Sequence, residues 1–152
     1  MLYTPIWISF GVWVTPSMDG YSLRIIETKR SMFKEALQTI VENTHGSLGA
    51  LIMGADGLSV EKFFTDEGSA ANLDVAAAEF TSLVRNATRS GNDLALGELR
   101  EMVVALGKVT FLMRLFNRDY FVVLAMKGDG NLGRARYELR KAELQLAGEF
   151  AV

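Results

Sequence analysis

Gly128-Asp129-Gly130-Asn131-Leu132-Gly133 spaces three glycines as G-x-G-x-x-G, after an apolar run and before a helical pattern. In a dinucleotide-binding unit such glycines make a tight turn and let the backbone approach a pyrophosphate. That unit also needs a second parallel strand carrying an acidic ribose partner about 20 residues on. Only one helical pattern follows Gly133, so the expectation is a structural strand-to-helix corner capped by Asp129 or Asn131. Gly107-Lys108 lacks the glycine spacing and the Ser or Thr of a phosphate loop and reads as a hairpin turn. His45 is the single histidine and cysteine is absent, which removes disulfides, thiolate nucleophiles and a histidine metal cluster. His45 is expected to cap a helix or face solvent. The carboxylate pairs Asp66/Glu67 and Glu98/Glu101 are of a type that performs acid-base work when their environments differ, but Asp66 and Glu67 fall in a polar loop as solvated charges. No catalytic, metal-ligating or cofactor-binding residue is assigned, no cofactor is expected, and the chain reads as a binding module, not an enzyme.

Composition sets the frame for that reading. A chain of 152 residues, 49% hydrophobic and 10% aromatic, is enough for one domain with a real core. Its formal net charge of -2 gives no chain-wide attraction to nucleic acid or an anionic membrane. The lack of cysteine suits a reducing cytoplasm. Residues 1–18 stand apart, since they hold both tryptophans, Trp7 and Trp13, and no charge. Their apolar core, residues 6–14, is far shorter than the roughly 20 residues of a membrane-spanning helix, and no Lys or Arg precedes Arg24 as a signal peptide would want. The alternation Leu2, Thr4, Ile6, Ile8, Phe10, Val12, Val14 suits an extra strand; a start at Met18 or Met32 is the other reading. Residues 1–31 are therefore set aside as an extension, and residues 32–152 as the domain.

Within the domain, Phe33, Ala36, Leu37, Ile40 and Val41 fall at helical spacing up to a stop near His45-Gly46. Residues 48–53 and 58–64 flank Ala55-Asp56-Gly57, a strong hairpin signal. Residues 65–72 read as a loop whose Asn72 or Asp74 caps a second helix. That helix carries Leu73, Ala76, Ala77, Phe80, Leu83, Val84 and Ala87 until Gly91-Asn92-Asp93 breaks it. Runs at 97–106, 109–115 and 120–126 are three more strands with antiparallel connections. Leu132, Ala135, Leu139, Ala142 and Leu146 mark a closing helix. The class is α+β: a five-stranded antiparallel sheet, element order αββαβββα, with helices on both faces because YFVVLAM at 120–126 is apolar on both pleat faces.

Two helices invite a binding reading. Arg134, Arg136, Arg140 and Lys141 offer cations to an acidic partner or anionic lipid, yet Glu138 sits four residues after Arg134 and three before Lys141, which neutralises that surface internally. In the second helix, Val75, Ala78 and Ser82 are small residues on the side away from the main apolar stripe. One side then meets the sheet and the other a second subunit or partner, unless the alanines simply make a good exposed helix.

The order and spacing of GSLGALIMGADGLSV at 46–60, LDVAAAEFTSLV at 73–84, LGELREMVV at 96–104 and YFVVLAMKGDGNLGRARYELR at 120–140 resemble the Roadblock family, the dynein light-chain type that includes bacterial gliding-polarity regulators. The resemblance covers nearly all of residues 32–152 and not the tail before them. It implies a Roadblock/profilin-like fold and a homodimer or a heterodimer with a paralogue. In such a dimer the strand around 96–104 pairs with its mate and the second helices pack together, with Ala77, Ala78, Phe80, Leu99 and Met102 at the interface. It further implies binding to a Ras-like small GTPase, with Glu79, Arg85, Asn86 and Arg89 as contacts and the GTPase supplying its own catalytic groups. A dynein-light-chain-like adaptor without nucleotide-state preference is the alternative within the same dimer, and a small-ligand sensor domain the alternative outside it. Neither nucleic acid nor a membrane span is expected.

Overall fold

Phe33, Leu37, Ile40 and Val41 form the buried stripe of α1 (Tyr21–Asn43). The structure is a computed structural model that describes residues 6–8, 12–14 and 21–150, with side chains from residue 24 onward. Leu2, Thr4 and Phe10 of the expected alternation, and the alternative start at Met18, lie outside these. β1 (Ile6–Ile8) and β2 (Val12–Val14) pair antiparallel in a small sheet of their own, so the tail holds two short paired strands instead of one added strand. α1 runs well before Phe33 because residues 21–32 contain neither Gly nor Pro to stop it, and its first turns leave Ile25 and Met32 exposed. Gly46 ends the turn that follows α1. Its φ of +83° is left-handed, and a Cβ there would stand 3.2 Å from the Gly130 Cα.

β3 (Ser47–Gly54) and β4 (Ser59–Phe64) form the expected hairpin, with Gly57 at φ +87° and the Leu58 N–H donating to Asp56 Oδ1 at 3.0 Å. The segment expected as a loop contains a short helix, α2 (Asp66–Ser69). Thr65 explains it: its Oγ1 accepts from the Gly68 N–H at 3.1 Å and donates to the Leu48 carbonyl at 3.0 Å, pinning the turn to β3.

α3 (Leu73–Asp93) also corrects an expectation, since Gly91 lies inside the helix and does not break it. The helix closes as a Schellman motif: the Leu96 N–H donates to Gly91 O at 2.8 Å and the Ala95 N–H to Asn92 O at 3.2 Å, with Ala95 left-handed at φ +54°. Because residues 94–97 fold back onto α3, β5 (Glu101–Ala105) is shorter than the run at 97–106 suggested. β6 (Val109–Leu115), β7 (Tyr120–Lys127) and α4 (Leu132–Leu146) complete the chain order.

The main sheet has the strand order β4-β3-β7-β6-β5, every neighbour antiparallel, with β4 and β5 at its edges. Val122, Leu124 and Met126 of β7 pack with α1 and α4 on one face, while Phe121, Val123 and Ala125 pack with α3 on the other. The fold is thus α+β with helices on both faces of a five-stranded antiparallel sheet, as the doubly apolar β7 requires.

Candidate functional site

The residues with catalytic types sit in structural roles. Asn131, of the two expected caps, accepts from the Arg134 N–H at 2.9 Å, and Gly130 is needed because a Cβ would come within 2.9 Å of Met126 Cβ. The glycine corner therefore fits α4 against the sheet. His45 is exposed at the end of α1. Glu67 pairs with Lys127 at 2.8 Å, and this bond raises the Lys127 ammonium above its ordinary range. Glu101 bridges Arg136 (2.7 Å) and Arg114 (3.8 Å), and Arg114 reaches Glu143 at 2.7 Å, so Glu101 and Arg114 tie β5 and β6 to α4, while Glu98 is exposed. Among the described residues no group of three His, Asp or Glu is placed to hold a metal, and no helix is long and apolar enough to cross a membrane. Glu138 is fully buried between Arg134 (2.7 Å) and Lys141 (3.4 Å), the internal neutralisation expected of α4.

The surface built by α3 and β5 is different. Leu73, Ala77, Thr81 and Val84 form the inward stripe of α3, and the buried Thr81 hydroxyl donates to the Ala77 carbonyl at 3.2 Å. Ala77 has 0% exposure in its own chain, so its expected place at a dimer contact is corrected: it has no surface to offer a second chain. Ala78 is exposed. Phe80 is half-buried, edge-on to Phe111 with ring centroids 4.9 Å apart, and Leu99 and Met102 are half-buried against the same cluster. Val75, Ala78 and Ser82 all face solvent. Of the large apolar side chains exposed among the described residues, six lie on α3, the α3–β5 connection or the β5 strand and its end: Val75, Leu83, Leu94, Leu96, Val103 and Leu106. Reading from spacing missed Leu83, assigned to the core stripe, and Leu94 and Leu96. The signal for these two was a pair of leucines in a glycine-bounded connection.

Glu79, Arg85, Asn86 and Arg89 are all exposed, but α3 divides them. Asn86 Oδ1 accepts from Arg89 Nη2 at 2.8 Å. Arg85 and Arg89 line a cleft of about 310 Å³ between the C-terminal half of α3, the β6–β7 loop and the β3–β4 turn, while Glu79 and Asn86 do not. Arg118 and Tyr120 of the β6–β7 side, which the sequence did not single out, share that cleft. Burial, then the nearby Asp119 and Asp56 charges, hold the Tyr120 phenol above its ordinary pKa. At the other end of α3, Asp74 accepts from the Val75 N–H and pairs with Lys62 at 3.4 Å, which lowers its carboxyl pKa.

No family model matches the chain, and no curated protein matches it. Among solved structures, MglC from Myxococcus xanthus is 35% identical, with a TM-score of 0.60, and the match covers 78% of this chain and 98% of MglC. A Roadblock/LC7 domain from Streptomyces avermitilis shares the fold at 17% identity and a TM-score of 0.66, covering 76% of this chain and 95% of that one. An MglB with tetrameric arrangement shares it at 16% identity and a TM-score of 0.66, covering 96% and 100%.

Proposed function

This chain belongs to the Roadblock family, and from that premise we propose that it is a non-enzymatic dimeric interaction module that regulates or scaffolds a Ras-like small GTPase. The observation that carries the reading is the apolar surface of α3 and the neighbouring β5 edge, where Val75, Leu83, Leu94, Leu96 and Leu106 remain exposed beside an unpaired strand. Such an edge is satisfied when a second copy, or a paralogue, adds its own β5 about a two-fold axis. The contacts in this proposal are Ala78, Phe80, Leu99 and Met102, joined by Val75 and Leu83. The tetrameric arrangement of an MglB of the same fold supports self-association of such domains.

In this reading residues 32–152 are the Roadblock unit, residues 1–31 extend it, and the module works in the cytoplasm. Glu79, Arg85, Asn86 and Arg89 meet the GTPase, whose own switch loops are held in position, so this chain donates no reacting group. The test immobilises the dimer and presents a Ras-like GTPase loaded with GDP or with a non-hydrolysable GTP analogue. Preference for the GTP state, and a fall in binding of at least fivefold on Glu79→Ala with Asn86→Ala, is the expected result. Equal binding of both states would leave a structural adaptor, and unchanged binding and hydrolysis in the variant would overturn the contact assignment.

A further inference from the structure

We infer that the two paired strands before α1 are an interfacial anchor that lays this protein on a lipid bilayer surface, with Trp7 and Trp13 at the level of the headgroups. The composition of the tail is the first argument. From Met1 to Met18 there is no Asp, Glu, Lys, Arg, His, Asn or Gln, and the only polar side chains besides the two indoles are the hydroxyls of Tyr3, Thr4, Ser9, Thr15 and Ser17. A protein contact rings its apolar centre with charged and amide groups, and this tail has none to supply. Trp and Tyr, apolar rings with one polar tip, are the residues that concentrate where a bilayer meets water. Pairing is the second argument. Ile6 stands opposite Val14, Trp7 opposite Trp13 and Ile8 opposite Val12, so every paired position is apolar and neither face of this sheet is a polar one. The two strands form a sheet separate from the five-stranded one. A two-stranded sheet has no interior of its own, so its apolar faces need cover from outside it.

The same features set the depth and the driving force. The apolar run at residues 6–14 is far shorter than the roughly 20 residues of a spanning helix, and open strand edges do not enter hydrocarbon, so the contact is with the interface and not the bilayer core. α1 follows directly in the chain, and its first turns leave Ile25 and Met32 exposed in a groove of about 340 Å³ shared with Arg24, Thr28, Lys29 and Glu149. Charge around that groove is balanced. Arg24, Lys29, Arg30 and Lys34 are matched in number by Asp19, Glu27, Glu35 and Glu149, and Lys29 pairs with Glu149 at 3.8 Å. Burial of apolar surface, and not attraction to anionic lipid, therefore drives the contact, which should be indifferent to salt. This inference goes beyond the GTPase reading and does not rest on it.

Trp7 and Trp13 are the two tryptophans of the chain, so its indole emission reports on the tail alone. The probes are vesicles of phosphatidylcholine and vesicles that also contain phosphatidylglycerol, each mixed with the full chain. The protein should float with both kinds, with affinities within twofold of each other and unchanged in high salt. Its emission should move to shorter wavelength, and lipid brominated near the headgroup end of the acyl chain should quench it more than lipid brominated near the chain terminus. Trp7→Glu with Trp13→Glu should lower flotation at least tenfold, whereas Leu144→Glu, at an exposed apolar residue of α4, should change it less than twofold. Emission and quenching are read on the unmodified protein, which keeps the inference testable if the double variant folds poorly. Failure to float with phosphatidylcholine, binding confined to the anionic vesicles and lost in salt, deeper bromines quenching as well as shallow ones, or flotation untouched by the two glutamates would each overturn it. So would equal weakening by Leu144→Glu, or an emission shift produced by raised protein concentration without vesicles, which would give the strands to a second copy of the chain. GTPase binding measured without vesicles is a separate readout, so failure of these arms with that binding intact would leave the family-based reading standing.

Discussion

The two faces of the sheet are covered unequally. On one, α1 and α4 bury Phe33, Leu37, Ile40, Ala135, Leu139, Ala142 and Leu146 over Ile52, Leu112 and Leu124, and the Arg114–Glu143–Glu101 network closes the β5 side. On the other, the single long helix α3 packs on β3, leaving Phe80, Leu99, Met102 and Val104 half-covered and the outer leucines and Val75 exposed. Long apolar stretches left exposed on a soluble domain mark contact surfaces. The first face is closed within the chain; the second keeps apolar side chains uncovered.

Substitutions on the two faces should therefore behave differently. Leu124→Ala empties a fully buried site on the closed face and should cost about 2–5 kcal/mol in denaturant unfolding at every protein concentration. Phe80→Ala on the open face should cost less in dilute protein, with a further loss that appears only as concentration rises; a concentration-independent effect at both sites would erase the contrast. Ala95→Gly relieves a left-handed alanine at the end of α3 and should raise stability by about 1 kcal/mol, measured by chemical denaturation. A loss instead would mean that the Schellman motif is not what holds residues 94–97 to the helix. The smallest effect concerns Tyr120. Its folded pKa is raised by burial, so the stability it contributes is present in full below the ordinary phenol value and is lost as pH rises through the higher folded value. Tyr120→Phe should flatten the alkaline limb of stability against pH, measured by chemical denaturation between about pH 7 and 11; an unchanged alkaline limb would mean the phenol does not titrate between the folded and unfolded chain.

Periodicity made the closed face legible, because the α1 and α4 stripes and the doubly apolar β7 are patterns in single segments. The Asp-Gly turn, the corner at Gly130 and the ion pairs of Glu138 were equally local. The open face was only half visible. Spacing put Leu83 with the core, and the family resemblance put Ala77 at the interface although its spacing placed it in the buried stripe; a stripe's period does not say how far the sheet extends beneath a lone helix. Gly91 looked like a breaker, yet a Cβ there would sit 2.5 Å from the Gly97 carbonyl, so its reason is a close approach fixed by tertiary structure. The α2 turn depends on Thr65 reaching back to Leu48, and the cleft gathers Arg118 from a loop distant in sequence from Arg85. Neither is written in any one segment.

Sedimentation equilibrium of the unmodified chain beside Val75→Glu with Leu83→Glu tests the central claim most directly. Both side chains are exposed, so the variant should keep the unfolding free energy of dilute protein to within about 0.5 kcal/mol. The unmodified protein should approach twice the chain mass as concentration rises and the variant should stay at the monomer mass. A monomer mass for the unmodified protein at every concentration, or a dimer untouched by the two glutamates, would contradict the assignment of α3 and the β5 edge as the surface where this protein meets its partner.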